Sequence, residues 1–137
     1  MPQTFDAACD AIMAICQAQA WIKQAPDDPP GAATQFPFAA LFPGHFTSQR
    51  NAGFLTNLHT VHLEIHWSFR DLPRNTADAK DHLGALLAAL WADPTLGGTV
   101  ATIQDSGIDG DFGPMMWGAV DTLGYVIRIT FKQQPTL

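Results

Sequence analysis

Charged residues are scarce in this sequence. They make up 15% of it, where an ordinary globular domain carries about 25%. On so short a chain the shortage implies that part of the surface is covered by a partner. Cations are scarcer still: Lys23, Arg50, Arg70, Arg74, Lys80, Arg128 and Lys132 stand against thirteen acids, for a net charge of −6 with the histidines neutral. They are scattered, so no basic stripe offers to neutralise phosphates, and tight, salt-sensitive binding of nucleic acid is not expected. A polyanion could still pass such a surface without adhering, because like charges repel. Glutamate is almost missing; Glu64 is the only one, beside twelve aspartates. The two cysteines, Cys9 and Cys16, fall on one predicted helix, where seven residues rise about 10 Å, too far for a bridge between them. They read as small buried hydrophobes in a reducing compartment. No apolar run approaches about 18 residues, and no charged-plus-apolar leader opens the chain, so neither membrane spanning nor secretion is expected.

What remains is a foldable chain. Its 137 residues are 47% hydrophobic, enough for one domain that buries about two-thirds of its unfolded surface. A two-lobed enzyme is excluded by length alone. Thr4 is a predicted N-cap, and Phe5, Cys9, Ile12 and Cys16 recur at helical spacing, predicting an amphipathic helix that ends near Lys23. Residues 24–34 (QAPDDPPGAAT) read as a loop. A strand is predicted over 35–42, ended by Pro43-Gly44, with a long polar connection to about Gly53. From Leu58 to Phe69, Val61, Leu63, Ile65, Trp67 and Phe69 alternate with His62, Glu64, His66 and Ser68, giving one apolar and one wet face. The two strands pair most simply as an antiparallel hairpin with a long tip. A second helix is predicted over 76–91, capped by Asn75 or Thr76 and stopped by Asp93-Pro94. Residues 100–104 fit a short strand or a helical turn, 106–114 a loop of glycines and acids, and 115–120 and 124–132 two further strands. The tail, 133–137, has nothing to hold it. The order predicts an α+β two-layer sandwich, a mostly antiparallel sheet of about four to five strands with two main helices on one face.

Few residues gather into chemistry. His62, Glu64 and His66 project from one strand face and are ligand types for zinc or iron. Their outer members stand about 13 Å apart, however, and cannot easily converge on one ion. The spelling H-L-E-I-H on a strand is not the helical H-E-x-x-H of zincins. A deaminase reading lacks its P-C-x-x-C. The preferred reading is a solvated or partner-facing strand surface, with a small metal-binding enzyme as the minor alternative. The stretch Asp105–Gly113 has neither the alternating acids nor the Glu of an EF-hand, and its G-x-x-G-x-x-G spacing fits neither a P-loop nor a dinucleotide fingerprint. No G-x-S-x-G elbow is present. No catalytic, metal or cofactor-binding residue is therefore assigned. The connection 44–53 (GHFTSQRNAG) reads either as a mobile loop or as a tip that binds something or pairs with another chain, since a polar hairpin tip of this length is otherwise costly to keep. Candidate contact residues are His45, Phe46 and Arg50 there, with Asp105, Asp109 and Asp111 in the acidic stretch.

Several pieces, in order, resemble the tail terminator proteins of long-tailed phages, the lambda-like (minor tail protein U-like) family. They are the N-terminal amphipathic helix, the Phe36-Pro37 strand with its polar tip, the alternating strand LHTVHLEIHWSF (58–69) and the following helix. The segment ADPTLGGTVATIQDS (92–106), Trp117 and the closing LGYVIRITF (123–131) complete the set. The resemblance covers nearly the whole chain. It implies an α+β subunit of a hexameric ring that caps the last ring of tail-tube protein, stops polymerisation and offers its other face to the head–tail connector. It also implies a virion component assembled in the host cytoplasm, with no cofactor and with DNA passing through unbound. A neck or head-completion protein is the alternative of the same size and ring habit. Scarce charge suits large subunit contacts. The family has no catalytic residues to carry over.

Overall fold

A computed structural model describes residues 3–31 and 35–135. The element order is α1 (Phe5–Gln17), β1 (Phe38–Asn51), β2 (Phe54–Ser68), α2 (Leu72–Trp91), β3 (Thr102–Trp117) and β4 (Val120–Gln133). The strands form one antiparallel sheet in the order β1-β2-β4-β3, and both helices pack on one face of it. The α+β prediction holds, with four strands. Among the described residues no helix is long and apolar enough to cross a membrane.

Thr4 caps α1 in extended conformation, its hydroxyl accepting the Ala7 N–H at 3.2 Å, and Ala8, Ile12, Met13 and Cys16 form the buried stripe. The helix stops at Gln17 rather than near Lys23, and the reason is tertiary. Trp21 leaves the helical path to stack on Trp67, 5.8 Å between ring centroids. The N–H groups of Lys23 and Gln24 both turn to the Pro37 carbonyl, and Gln24 pairs with Phe38 at the sheet edge. Of the predicted loop 24–34, residues 32–34 lie outside the described residues.

On β2, Val61, Leu63, Ile65 and Trp67 face the helices as alternation predicts, but Phe69 does not, because the strand ends at Ser68 and Phe69 is exposed in the turn after it. The hairpin with β1 is present, but its tip is no loop. β1 continues through Pro43 and Gly44 to Asn51, and the turn is only Ala52-Gly53, with φ of 46° and 93°, a two-residue connection whose twist suits antiparallel strands. Pro43 does not end the strand because β1 is an edge, where a missing N–H costs no ladder bond. Instead the register shifts between Pro43 and Phe46, a bulge that bends the strand.

α2 starts at Leu72, ahead of the predicted Thr76. Asp71 is the cap, its carboxylate accepting the Arg74 N–H at 3.3 Å, and Pro73 is tolerated in the first turn because its missing N–H would have no helical partner there. After Ala92 the chain reverses tightly. The Asp93 carboxylate accepts the Gly97 N–H at 3.1 Å, the Thr99 hydroxyl donates to the Leu96 carbonyl at 2.7 Å, and Leu96 is fully buried. The phrase ADPTLGG is thus the turn that feeds α2 into β3.

The predicted loop 106–114 is strand as well, and β3 runs unbroken from Thr102 to Trp117 apart from a register shift between Ile103 and Ile108. Two of its glycines, Gly107 and Gly110, are there for close approach rather than for turning: a Cβ on Gly107 would lie 2.6 Å from the Thr130 carbonyl oxygen, and one on Gly110 would collide with the Val126 carbonyl oxygen. The predicted strand boundary at 115–120 gives way to a tight turn after Trp117, which pairs with Val120. The tail is held at its start, contrary to expectation. The buried Gln133 amide donates to the carbonyls of Thr4 (2.8 Å) and Thr99 (2.9 Å), and the Gln134 N–H meets the Gln3 side chain. Residues 136–137 lie outside the described residues.

Candidate functional site

His62, Glu64 and His66 do share the sheet face turned away from the helices, but that face is not uniformly wet. At the β3–β4 turn the hairpin curls back, and the Trp117 ring packs 4.8 Å from Phe38, 5.7 Å from Phe42 and 5.4 Å from His66, centroid to centroid. Under this lid His66 and Thr122 are fully buried. His66 Nε2 lies 2.8 Å from Glu64 Oε1 and Nδ1 lies 2.6 Å from the Thr122 hydroxyl. A carboxylate oxygen accepts, so Nε2–H donates to Glu64; in the neutral ring of that tautomer Nδ1 accepts from the Thr122 hydroxyl. The order hydroxyl–imidazole–carboxylate is that of a nucleophilic relay. Thr122, however, offers no surface to a substrate, and the chain of bonds does what buried polar groups require: each is satisfied. His62 stands apart, beside the Gly44 bulge, and among the described residues no three His, Cys, Asp or Glu side chains are grouped to hold a metal ion.

The thiols are equally withdrawn. Burial, with the Asp6 and Asp10 charges behind it, pushes Cys9 up to about 11, and burial alone pushes Cys16 up to about 12. Neither supplies thiolate near neutrality. A cleft of about 590 Å³ lies at the start of α2 between Phe36, Trp67, Arg70 and Asp81. Three of its polar groups serve the fold: Asp71 caps α2, Asp78 accepts the Trp67 indole N–H at 2.8 Å, and Asn75 donates to the Ser68 carbonyl at 2.6 Å.

The predicted contact residues fall into two separate sets. Asp105, Asp109 and Asp111 lie on β3, one edge of the sheet, not in a loop. Asp109 takes both prongs of the Arg128 guanidinium at 3.0 and 3.1 Å, and Asp111 shares the second at 3.1 Å. The fork is solvent-facing and contributes little to stability, but it holds two carboxylates in a fixed place. His45, Phe46 and Arg50 lie on β1, the opposite edge. The sheet does not bring the two sets together within one chain.

The hairpin carries the more informative surface. The last β4 residue facing β2 is Gln133, opposite Asn57. Gln49–Asn51 and Phe54–Thr56 therefore pair with each other and with nothing else in the sheet, an overhang of about 10 Å at three residues per arm. On this hairpin Phe46 is 65% and Phe54 71% exposed. Phe54 escaped the sequence reading, although a phenylalanine within a polar stretch was the available signal. At the far end of the sheet Met116 (60%) and Val120 (58%) are bare, and Phe69, which lines a hollow with Val120, is exposed as well. An apolar groove of about 360 Å³ opens between α2 and β3, lined by Leu83, Leu87, Ile108, Phe112, Tyr125 and Ile127.

No protein-family model and no curated protein sequence matches the chain.

Proposed function

We propose that this chain is a structural ring subunit that terminates a phage tail, seated on the last ring of tail-tube protein and presenting its other face to the head–tail connector. One observation carries the reading: large apolar side chains stand bare at opposite ends of a single sheet, Phe46 and Phe54 at one and Met116 and Val120 at the other. Soluble monomers rarely leave such surface uncovered, and patches of this kind mark contact with other proteins. A ring capping a tube must meet like copies at its sides and different proteins above and below, and a subunit with separate apolar ends suits that position. The ordered sequence resemblance and the low charge point the same way. The net charge of −6 suits a channel that DNA traverses without sticking. The polar triad Thr122–His66–Glu64 acts in this reading as an internal clamp rather than as chemistry.

The test is to mix the purified protein with its cognate tail-tube protein and follow the particles by electron microscopy and native mass spectrometry. Rings of more than two copies bound at tube ends, with tube growth stopped, are expected. A strictly monomeric protein that never decorates tubes overturns the reading. A ring located above the tube end in the virion reassigns the chain to the neck.

A further inference from the structure

We propose that the β1–β2 hairpin of one copy of this chain docks on the β3 side of the next copy, with an exposed phenyl ring of the hairpin seated in the groove between α2 and β3. The proposal rests on the ring reading above and names the contact that would close it. A two-stranded ribbon is marginal in water without a surface to lie on, and this one overhangs its sheet while exposing Phe46 and Phe54. The groove walls, Leu83, Leu87, Phe112 and Tyr125, offer the matching apolar surface. Knob and groove lie on opposite edges of the sheet, β1 and β3, so the hairpin is placed to reach a neighbour's groove rather than its own.

Charge selects a second copy as the occupant. From Asp28 to Glu64 the sequence has no acid, and the hairpin carries Arg50. Asp109 and Asp111 line the groove, with Arg128 offsetting one of their two charges, and Asp105 lies on the same strand. A cationic arm and an anionic flank attract over roughly the 8–10 Å screening length of physiological salt. A contact between two different patches of the same molecule is heterologous, and it produces a closed ring or an open chain according to its rotation. The Met116 and Val120 end stays free for tube or connector.

The test uses two full-length variants. Phe46→Asp/Phe54→Asp removes the knob, and Leu87→Arg/Phe112→Arg blocks the groove. Circular dichroism and melting of each are compared with wild type, since three of these four side chains are exposed. By sedimentation and native mass spectrometry each variant alone should self-associate at least about 30-fold more weakly, as for loss of a central anchor. Mixed together they should form a one-to-one pair that grows no further, because one intact knob and one intact groove remain. If wild type forms rings and both folded variants do too, the docking is wrong and the ring survives. If the folded variants do not pair on mixing, the docking is again wrong. A wild-type dimer held by this contact keeps the docking and overturns the ring; a wild-type monomer overturns both.

Discussion

The Thr122–His66 bond can be weighed directly, and its weight separates a structural clamp from an idle surface histidine. Both groups are fully buried, and their 2.6 Å contact lies beneath Trp117. Thr122→Val keeps the shape, deletes the hydroxyl and leaves His66 Nδ1 buried with no partner, at a cost of about 1–3 kcal/mol. His66→Leu keeps apolar contact with Phe38 and Trp117 but strands the Thr122 hydroxyl, at a similar cost. In the double variant neither polar group remains to be stranded. Its loss should therefore fall below the sum of the single losses, by a coupling of about 1–2 kcal/mol. For a chain of this length each kcal/mol corresponds to about 3–5 °C in melting temperature. Urea or guanidinium titration of the four proteins measures the cycle, with unchanged m-values as the sign that the same transition is followed. Strict additivity, or single variants within about 0.5 kcal/mol of wild type, would refute the account of a satisfied buried network.

Two further outcomes follow from packing and charge. Gly124 on β4 faces β2 so closely that a Cβ there would collide with the Ile65 carbonyl oxygen. Gly124→Ala should cost about 3 kcal/mol or more and lower the melting temperature by roughly 10 °C; a melt within 2 °C of wild type, on an approximate error scale, would contradict the register. Burial between Phe5 and Phe131 holds His59 below the usual imidazole value. Below about pH 6.5 the unfolded chain then binds more protons at this residue than the folded one. Its contribution is intact above that pH and is lost as pH falls through the folded value. Wild type should lose more melting temperature between about pH 7.5 and 5.5 than His59→Gln does, and parallel curves would refute the assignment.

The elements with one dry face were legible in the sequence. β2 alternates because Val61, Leu63, Ile65 and Trp67 meet the helices, and α2 shows its stripe because Ala79, Leu86 and Leu90 do the same. The hairpin arms and β3 were not legible, and for one reason. Thr47–Arg50 are all polar, and in Ser106–Gly113 the alternation of Ile108 and Phe112 with Asp109 and Asp111 is diluted by three glycines, so the period-two signal is absent in the first stretch and thin in the second. The lid over His66 was also hidden. It depends on Trp117, fifty-one positions away in sequence (117 − 66), and on the curl of a hairpin that local pattern does not encode. The six candidate contact residues come from two stretches of sequence, and that these lie on opposite sheet edges needed the strand order.

That order has a consequence for how copies of this chain avoid one another where they should. In β1-β2-β4-β3 the two edge strands run in opposite directions, so β3 of one copy could continue directly into β1 of another as a regular antiparallel pair. Unchecked, such pairing produces open fibres. Each edge is interrupted: β1 by the bulge between Pro43 and Phe46, β3 by the shift between Ile103 and Ile108 and by Pro114. These breaks limit runaway strand addition. Deleting His45 tests the point. In the bulge Gly44 and His45 together face Thr60, so losing one residue leaves Pro43 opposite Val61 and Phe46 opposite His59 as before, while the edge straightens. The deletion variant should stay folded by circular dichroism yet scatter light and bind thioflavin at concentrations where wild type does neither. A deletion variant as clear as wild type would mean that the bulge does not protect the edge, and that strand addition between copies is prevented by something else.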